Sequence, residues 1–244
     1  MKHHQYNPNF KFVKEPVDFN KYTDRSLLQY CLGATMYMPG TKDFAQAIID
    51  KKYPGLTSMV MCFEDACKEE DVPAAEINSI HVLDTLNEKV ESGELAYEDI
   101  PLIFFRVRSV EQFKHFASML EPKHIKYFTG FNFPKFNSVY GRAYMEHLVE
   151  LNKKFGEVIY GMPIIEDARV AYKETRVSEL LAIKNIMDDY KELILNVRVG
   201  GTDFSSCFGV RRGIDYTIYD IMTAPRVPLA GTRSHPDACA PSRA

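Results

Sequence analysis

Charged residues recur at one kind of position along this chain, directly after short apolar runs. Glu64 and Asp65 follow the run 57–63. Arg106 and Arg108 close the run 102–105, and Lys135 follows an aromatic stretch. Glu166 and Asp167 follow the run 158–165. Arg198, Gly200, Gly201 and Asp203 follow the run 193–197. If the runs are parallel strands, these are their carboxyl ends, where α/β folds build active sites. Carboxylates gathered at one mouth repel each other unless they are protonated or share a cation. A hard divalent ion with oxygen ligands, most simply Mg2+, relieves that repulsion and keeps waters or substrate oxygens in its shell.

Each position also has a plainer explanation. An acidic pair after a strand often interacts with a helix N-terminus. Arg106 and Arg108 could be surface ion-pair partners, Lys135 could be solvated, and Gly200-Gly201 could be a turn. Lys135 could also form a Schiff base with a carbonyl substrate. The repetition at equivalent points favours a shared site. No histidine stands at a strand end, since His81, His115, His124 and His147 fall on helices or just before the fourth run.

The elements that must position these groups alternate. Apolar runs at 34–38, 57–63, 102–105, 125–128, 158–165 and 193–197 are each followed by a segment of helical period. Thr41 is placed to cap the first helix, which buries Phe44, Ala45, Ile48 and Ile49. Pro73 suits the first turn of the second, whose inner face carries Ile77, Ile80, Leu83, Leu86 and Val90. Ser109 and Gln112 form a capping-box pattern, and Pro122 stops that third helix. Further helices are expected over 138–155, 176–190 and 213–222. Six strand–helix units imply a parallel sheet, because parallel neighbours need long crossovers. An open doubly wound sheet and a (β/α)8 barrel both fit this spacing.

The composition limits the function classes. The chain has 244 residues, 45% hydrophobic and 26% charged, with a net charge of −3. That suits one globular domain and lacks the basic face of a nucleic-acid binder. No apolar run is long enough for a membrane span, and the first residues lack a signal-peptide core. Cys31, Cys62, Cys67, Cys207 and Cys239 are odd in number and form no CxxC pair. They read as reduced thiols of a cytoplasmic protein.

Six segments occur in a telling order: Ala34-Thr35-Met36-Tyr37-Met38-Pro39-Gly40, Phe63-Glu64-Asp65-Ala66, Phe105-Arg106-Val107, Phe133-Pro134-Lys135, Ile165-Glu166, and Gly200-Gly201-Thr202-Asp203-Phe204. With them the chain resembles the citrate lyase beta-subunit and HpcH/HpaI aldolase family. It most resembles the C–C bond lyase branch found in tellurite-resistance stress clusters. The resemblance implies an α/β fold of the (β/α)8 TIM-barrel type. It also implies a Mg2+-dependent lyase or aldolase working through a metal-stabilised enolate of a 2-oxo acid or acyl compound, as a homo-oligomer. Glu166 and Asp203 match the two Mg2+ ligands. Arg106 matches the arginine that holds a substrate carboxylate or carbonyl, and Glu64 and Asp65 match the acidic pair beside it. Pro39 and Gly40 match a loop near the substrate. Arg108, Lys135 and Gly201 complete the expected substrate contacts.

The sequence departs from the family at Cys62, at Gly33-Ala34, at Arg108 and at Asp167. These departures count against cleavage of a coenzyme A thioester such as citryl-CoA or malyl-CoA. Arg108 suits a more anionic substrate. Two alternatives stay open: a phosphoenolpyruvate-type metal-enolate enzyme, and a non-catalytic subunit of a stress-response complex.

Three segments are expected: an N-terminal arm or cap at 1–30, a partial barrel of about six units at 31–223, and a disordered tail at 224–244. The stretch 225–244 holds four prolines and no aromatic, Ile or Met. A barrel of eight strands needs about 250 residues, so the pattern reads as C-terminally truncated, with open strand edges prone to self-association.

Overall fold

The computed structural model describes Asn7, residues 9–210 and Ile214. Six strands form one sheet: β1 (Met36–Pro39), β2 (Ser58–Cys62), β3 (Leu102–Arg106), β4 (Gly130–Phe133), β5 (Tyr160–Ile165) and β6 (Arg198–Val199). They lie in sequence order β1-β2-β3-β4-β5-β6, and every neighbouring pair is parallel. A doubly wound sheet reverses its strand order at a switch point. This sheet never reverses, as in the wall of a (β/α)8 barrel. It curls far enough for Arg198 on β6 to donate to Thr35 Oγ1, one residue before β1, at 2.9 Å.

Nine α-helical segments accompany the strands: α1 (Arg25–Leu28), α2 (Ala45–Ile49), α3 (Val72–Glu91), α4 (Val110–Ser118), α5 (Pro122–Ile125), α6 (Gly141–Phe155), α7 (Ala168–Ala171), α8 (Lys173–Asp189) and α9 (Gly201–Cys207), a count made among the described residues. The alternation of side chains along each strand divides the core into two faces. Met59, Met61, Phe105, Phe131 and Phe133 point outward and pack with Phe113 and Phe116 of α4 and with Tyr144 and Leu148 of α6. Each fully buried Phe contributes about 1.5–3 kcal/mol. Val60, Leu102, Phe104, Tyr160, Met162 and Leu195 form a second cluster with Phe19, Leu28, Cys31 and Leu32 from the N-terminal segment. The inner face is therefore filled by the chain that precedes β1. Above that apolar filling, the inner face becomes polar at Arg106 and Asn132.

Several elements differ from their sequence expectation. The fourth strand is Gly130–Phe133 rather than 125–128. Ile125, Tyr127 and Phe128 are buried, but the ladder to β3 and β5 begins only where Thr129 N–H meets the Ile103 carbonyl at 2.7 Å. Gly130 and Asn132, one small and one polar, disguised this strand as a loop. Pro122 starts α5 instead of stopping α4, in keeping with its tolerance at a first turn. Thr41 caps nothing; the Asp43 carboxylate accepts from Ala45 N–H at the start of α2. Ile77 is 64% exposed, because the buried face of α3 runs instead through Ala75, Ser79, Val82, Leu83 and Leu86. The last strand is Arg198–Val199, preceded by an isolated bridge at Ile194. The helix expected over 213–222 and the tail at 224–244 lie outside the described residues.

Other details follow the sequence closely. Ser109 accepts from Gln112 N–H at 3.2 Å, and the Gln112 side chain reaches back to Arg108 N–H at 2.9 Å. Gly156 ends α6 in the left-handed region, with φ of 67°. Among the described residues, Cys31, Cys62, Cys67 and Cys207 are free thiols, and no helix is long and apolar enough to cross a membrane.

Candidate active site

The strand ends deliver their charged residues to one place. Arg106, the last residue of β3, sits at its centre with its side chain 9% exposed. Its Nη2 lies 2.5 Å from Glu64 Oε2 and 3.0 Å from Glu166 Oε1, while Nη1 lies 3.0 Å from Asp65 Oδ2. Glu64 and Asp65 follow β2 and Glu166 follows β5, so three strands converge on one guanidinium. Burial works against the Arg106 charge, but Glu64 and Glu166 more than offset it and hold the group protonated. Its Nε is buried and has no acceptor.

Lys135 enters from the end of β4. Its ammonium pairs with Glu64 Oε1 and lies 3.9 Å from both Asp65 Oδ1 and Asp203 Oδ2. Burial lowers the tendency of Lys135 to stay charged, yet its bond to Glu64 and the nearby carboxylates raise its pKa. A Schiff-base lysine needs the opposite setting. Lys135 also holds φ at 47°, a left-handed value unusual for a side chain of this size. In that conformation its N–H donates to Glu166 Oε1 at 3.0 Å. The backbone strain is therefore tied to fixing the Glu166 carboxylate.

Glu166 is buried, and its pKa is pushed up to about 7. Burial is the largest cause and Asp203 adds to it, while Arg106 and the Lys135 N–H pull the other way. Asp203, in the first turn of α9, thus stands close enough to Glu166 to repel its charge. Asp203 Oδ2 is buried without a hydrogen-bond donor. Gly200 makes this approach sterically possible: a Cβ there would fall 2.0 Å from Glu166 Oε2. Asp65, 56% exposed at its side chain, is drawn below the usual carboxylate range; burial is the largest single influence and opposes that, but Arg106, Glu64 and Lys135 together outweigh it.

The cluster thus gathers Glu64, Asp65, Arg106, Lys135, Glu166 and Asp203. It does not gather Arg108, whose Nη1 donates to the Phe63 and Cys67 carbonyls at 3.3 Å and whose Nη2 lies 3.9 Å from exposed Glu69. Pro39 pairs with Cys62 in the sheet. Gly40 is packed on the opposite side of β2, where an added Cβ would meet the Phe63 ring at 2.8 Å. Gly201 is the first residue of α9, and the glycine that the carboxylates require is its neighbour Gly200. Asp167 turns away to cap α7 and to accept from Asn137. Sequence reasoning passed over Asn132. Its signal was a polar residue inside an aromatic run.

Glu166 and Asp203 have the oxygen-donor chemistry that suits a hard ion such as Mg2+. Among the described residues no group of three or more His, Cys, Asp or Glu is placed to hold a metal ion. Mg2+ is ordinarily held by only one or two carboxylates, with water and substrate oxygens completing its shell. Asp203 Oδ2, beside Glu166 and without a hydrogen-bond donor, fits that pattern.

A parallel barrel wall with acidic, arginine and lysine groups converging at its carboxyl mouth is an enzyme-like α/β scaffold. A family model described as the C–C bond lyase of the TIM-barrel fold matches residues 26–227, and the chain belongs to that family. No curated protein matches it. Among solved structures it is similar to Haloferax volcanii malate synthase in its lead(II) complex, at 14% identity, with a TM-score of 0.51 over 75% of this chain and 54% of that one. It is also similar to the citrate lyase beta subunit from M. tuberculosis complexed with oxaloacetate and magnesium, at 16% identity, with a TM-score of 0.46 over 80% and 70% of the two chains. At such identities the likeness concerns the fold alone. The chain spans about half the length of the malate synthase.

Proposed function

We propose that this protein is a Mg2+-dependent lyase that breaks or forms the carbon–carbon bond beside the carbonyl of a small anionic 2-oxo acid or acyl compound. The observation that carries this reading is the pairing of buried Glu166 with half-buried Asp203, whose Oδ2 has no hydrogen-bond donor and only the Lys135 ammonium at 3.9 Å. Glu166 and Asp203 would hold the ion. When bound, Mg2+ would supply Lewis acidity toward the negative charge that develops on the carbonyl oxygen. Arg106 adds fixed positive charge at the same mouth. Glu64 joins Arg106 to Lys135, so proton transfer falls to this pair or to water. Lys135 acts as an ammonium donor and not as a nucleophile.

The reading is tested by enolisation. With Mg2+ in D2O, the methyl protons of pyruvate are expected to exchange, as followed by NMR. Chelation, or Asp203→Asn, is expected to slow exchange at least ~100-fold, the scale lost with one electrostatic contact to a transition state. Exchange that ignores both changes would exclude the proposed site. A non-catalytic subunit would show no exchange under any condition.

A further inference from the structure

Deeper inside the mouth lies a second cationic feature that the lyase reading leaves unused. Arg198 on β6 makes no ion pair among the described residues. Its guanidinium lies 5.6 Å from the centre of the Tyr37 ring, and Nη2 donates to Thr35 Oγ1 at 2.9 Å. Thr35 can accept because its own hydroxyl is turned to Ser58 Oγ at 2.7 Å, and Ser58 donates to the Leu32 carbonyl at 2.6 Å. Arg198 Nε is buried with no acceptor. An aromatic face and one hydroxyl compensate this half-buried guanidinium only partly.

The same cluster contains an unpartnered neutral group. Asn132 is 0% exposed, and its Nδ2 donates to the Tyr37 hydroxyl at 2.8 Å. Its Oδ1 has no partner. The Tyr37 hydroxyl, accepting from Asn132, keeps its own hydrogen for another acceptor. Three capacities therefore stand unspent in groups that all touch Tyr37: the Arg198 Nε–H, the Tyr37 O–H and the Asn132 carbonyl. Asn132 is the direct strand partner of Arg106 across β3 and β4, so both side chains leave the same inner face. The unspent groups and the carboxylate cluster share one mouth.

Resting on the lyase reading, we infer that Arg198, Tyr37 and Asn132 form an anion subsite that receives the far carboxylate or phosphonate of a dianionic 2-oxo substrate. The guanidinium edge supplies the charge and a planar fork for such groups. Asn132 holds the Tyr37 hydroxyl in place through its Nδ2. An alternative role, a mere tie between β6 and the start of β1, would leave the binding of dianions and monoanions equally strong.

Calorimetric titration separates the two. The probes are 2-oxobutyrate, which lacks a second charge, 2-oxoglutarate, and 3-phosphonopyruvate, each with and without Mg2+. In the wild type, at least one dianion is expected to bind about 10-fold more tightly than 2-oxobutyrate, roughly 1.4 kcal/mol. Whichever dianion gains identifies the preferred end group. Arg198→Gln is expected to abolish that advantage and leave 2-oxobutyrate unchanged, and Arg198→Lys to restore part of it. If Arg198→Gln does not fold, Tyr37→Phe is expected to reduce the same advantage. Equal affinities in the wild type, or an advantage that survives these substitutions, would overturn the subsite. Dependence on Mg2+ reads the lyase site and dependence on Arg198 reads the subsite, so either can fail without the other.

Discussion

Replacing Arg106 with Met is expected to destabilise the metal-free protein by about 3–5 kcal/mol, the usual cost of removing one partner from a buried ion network. For a chain of this size that corresponds to a fall in Tm of roughly 6–20 °C. The reason lies in what stays behind. Glu64 and Glu166 are 7% and 5% exposed, and both lose a contact of 3.0 Å or less. Lys135 still reaches Glu64 but leaves Glu166 with only a backbone donor. The link to Asp65 adds little, because that side chain is mostly in water and its attraction is screened. Arg106→Lys should recover part of the stability and little of the activity, since an ammonium cannot span carboxylates from two other strand ends as a guanidinium does. Scanning calorimetry in EDTA reads the first effect. An unchanged Tm would mean that the network is far more hydrated than its burial implies.

Gly200→Ala is expected to leave a folded protein whose Mg2+ affinity drops about 10–100-fold, the scale seen when support around a metal ligand is disturbed. The backbone there has φ of −86°, which any residue can adopt. The effect is purely steric: the new methyl would lie 2.0 Å from Glu166 Oε2 and 2.5 Å from its Cβ. Either Glu166 leaves its place beside Arg106 or α9 shifts and takes Asp203 with it. Overpacking of this kind usually costs about 1–3 kcal/mol in stability, so the fold survives while the ligand pair separates. A variant that binds Mg2+ as the wild type does would show that Gly200 is not the spacer between the two carboxylates.

Much of this site is legible in the sequence. Glu64, Arg106 and Glu166 stand directly after apolar runs and Asp203 a few residues beyond one, and strand direction alone places such residues at one rim. The six-unit alternation was legible for the same reason, because strands buried on both faces leave continuous apolar runs. Strand order was not, since crossover lengths are alike in open sheets and barrels. The fourth strand was hidden where it serves the mouth: Gly130 accommodates the Tyr160 backbone and Asn132 replaces an apolar inner residue. Arg108 misled for a different reason. It follows Arg106 by two, but it leaves the strand end and turns to loop carbonyls. Local spacing cannot foresee that choice.

The central claim is that two carboxylates distant in sequence hold one ion. Its most direct test is isothermal titration of Mg2+ into the wild type, Glu166→Gln and Asp203→Asn, each shown to be folded by circular dichroism. One ion per chain is predicted for the wild type, with binding lost or weakened by about two orders of magnitude in either variant. Wild-type affinity in both variants, or no Mg2+ binding by the wild type itself, would contradict the account.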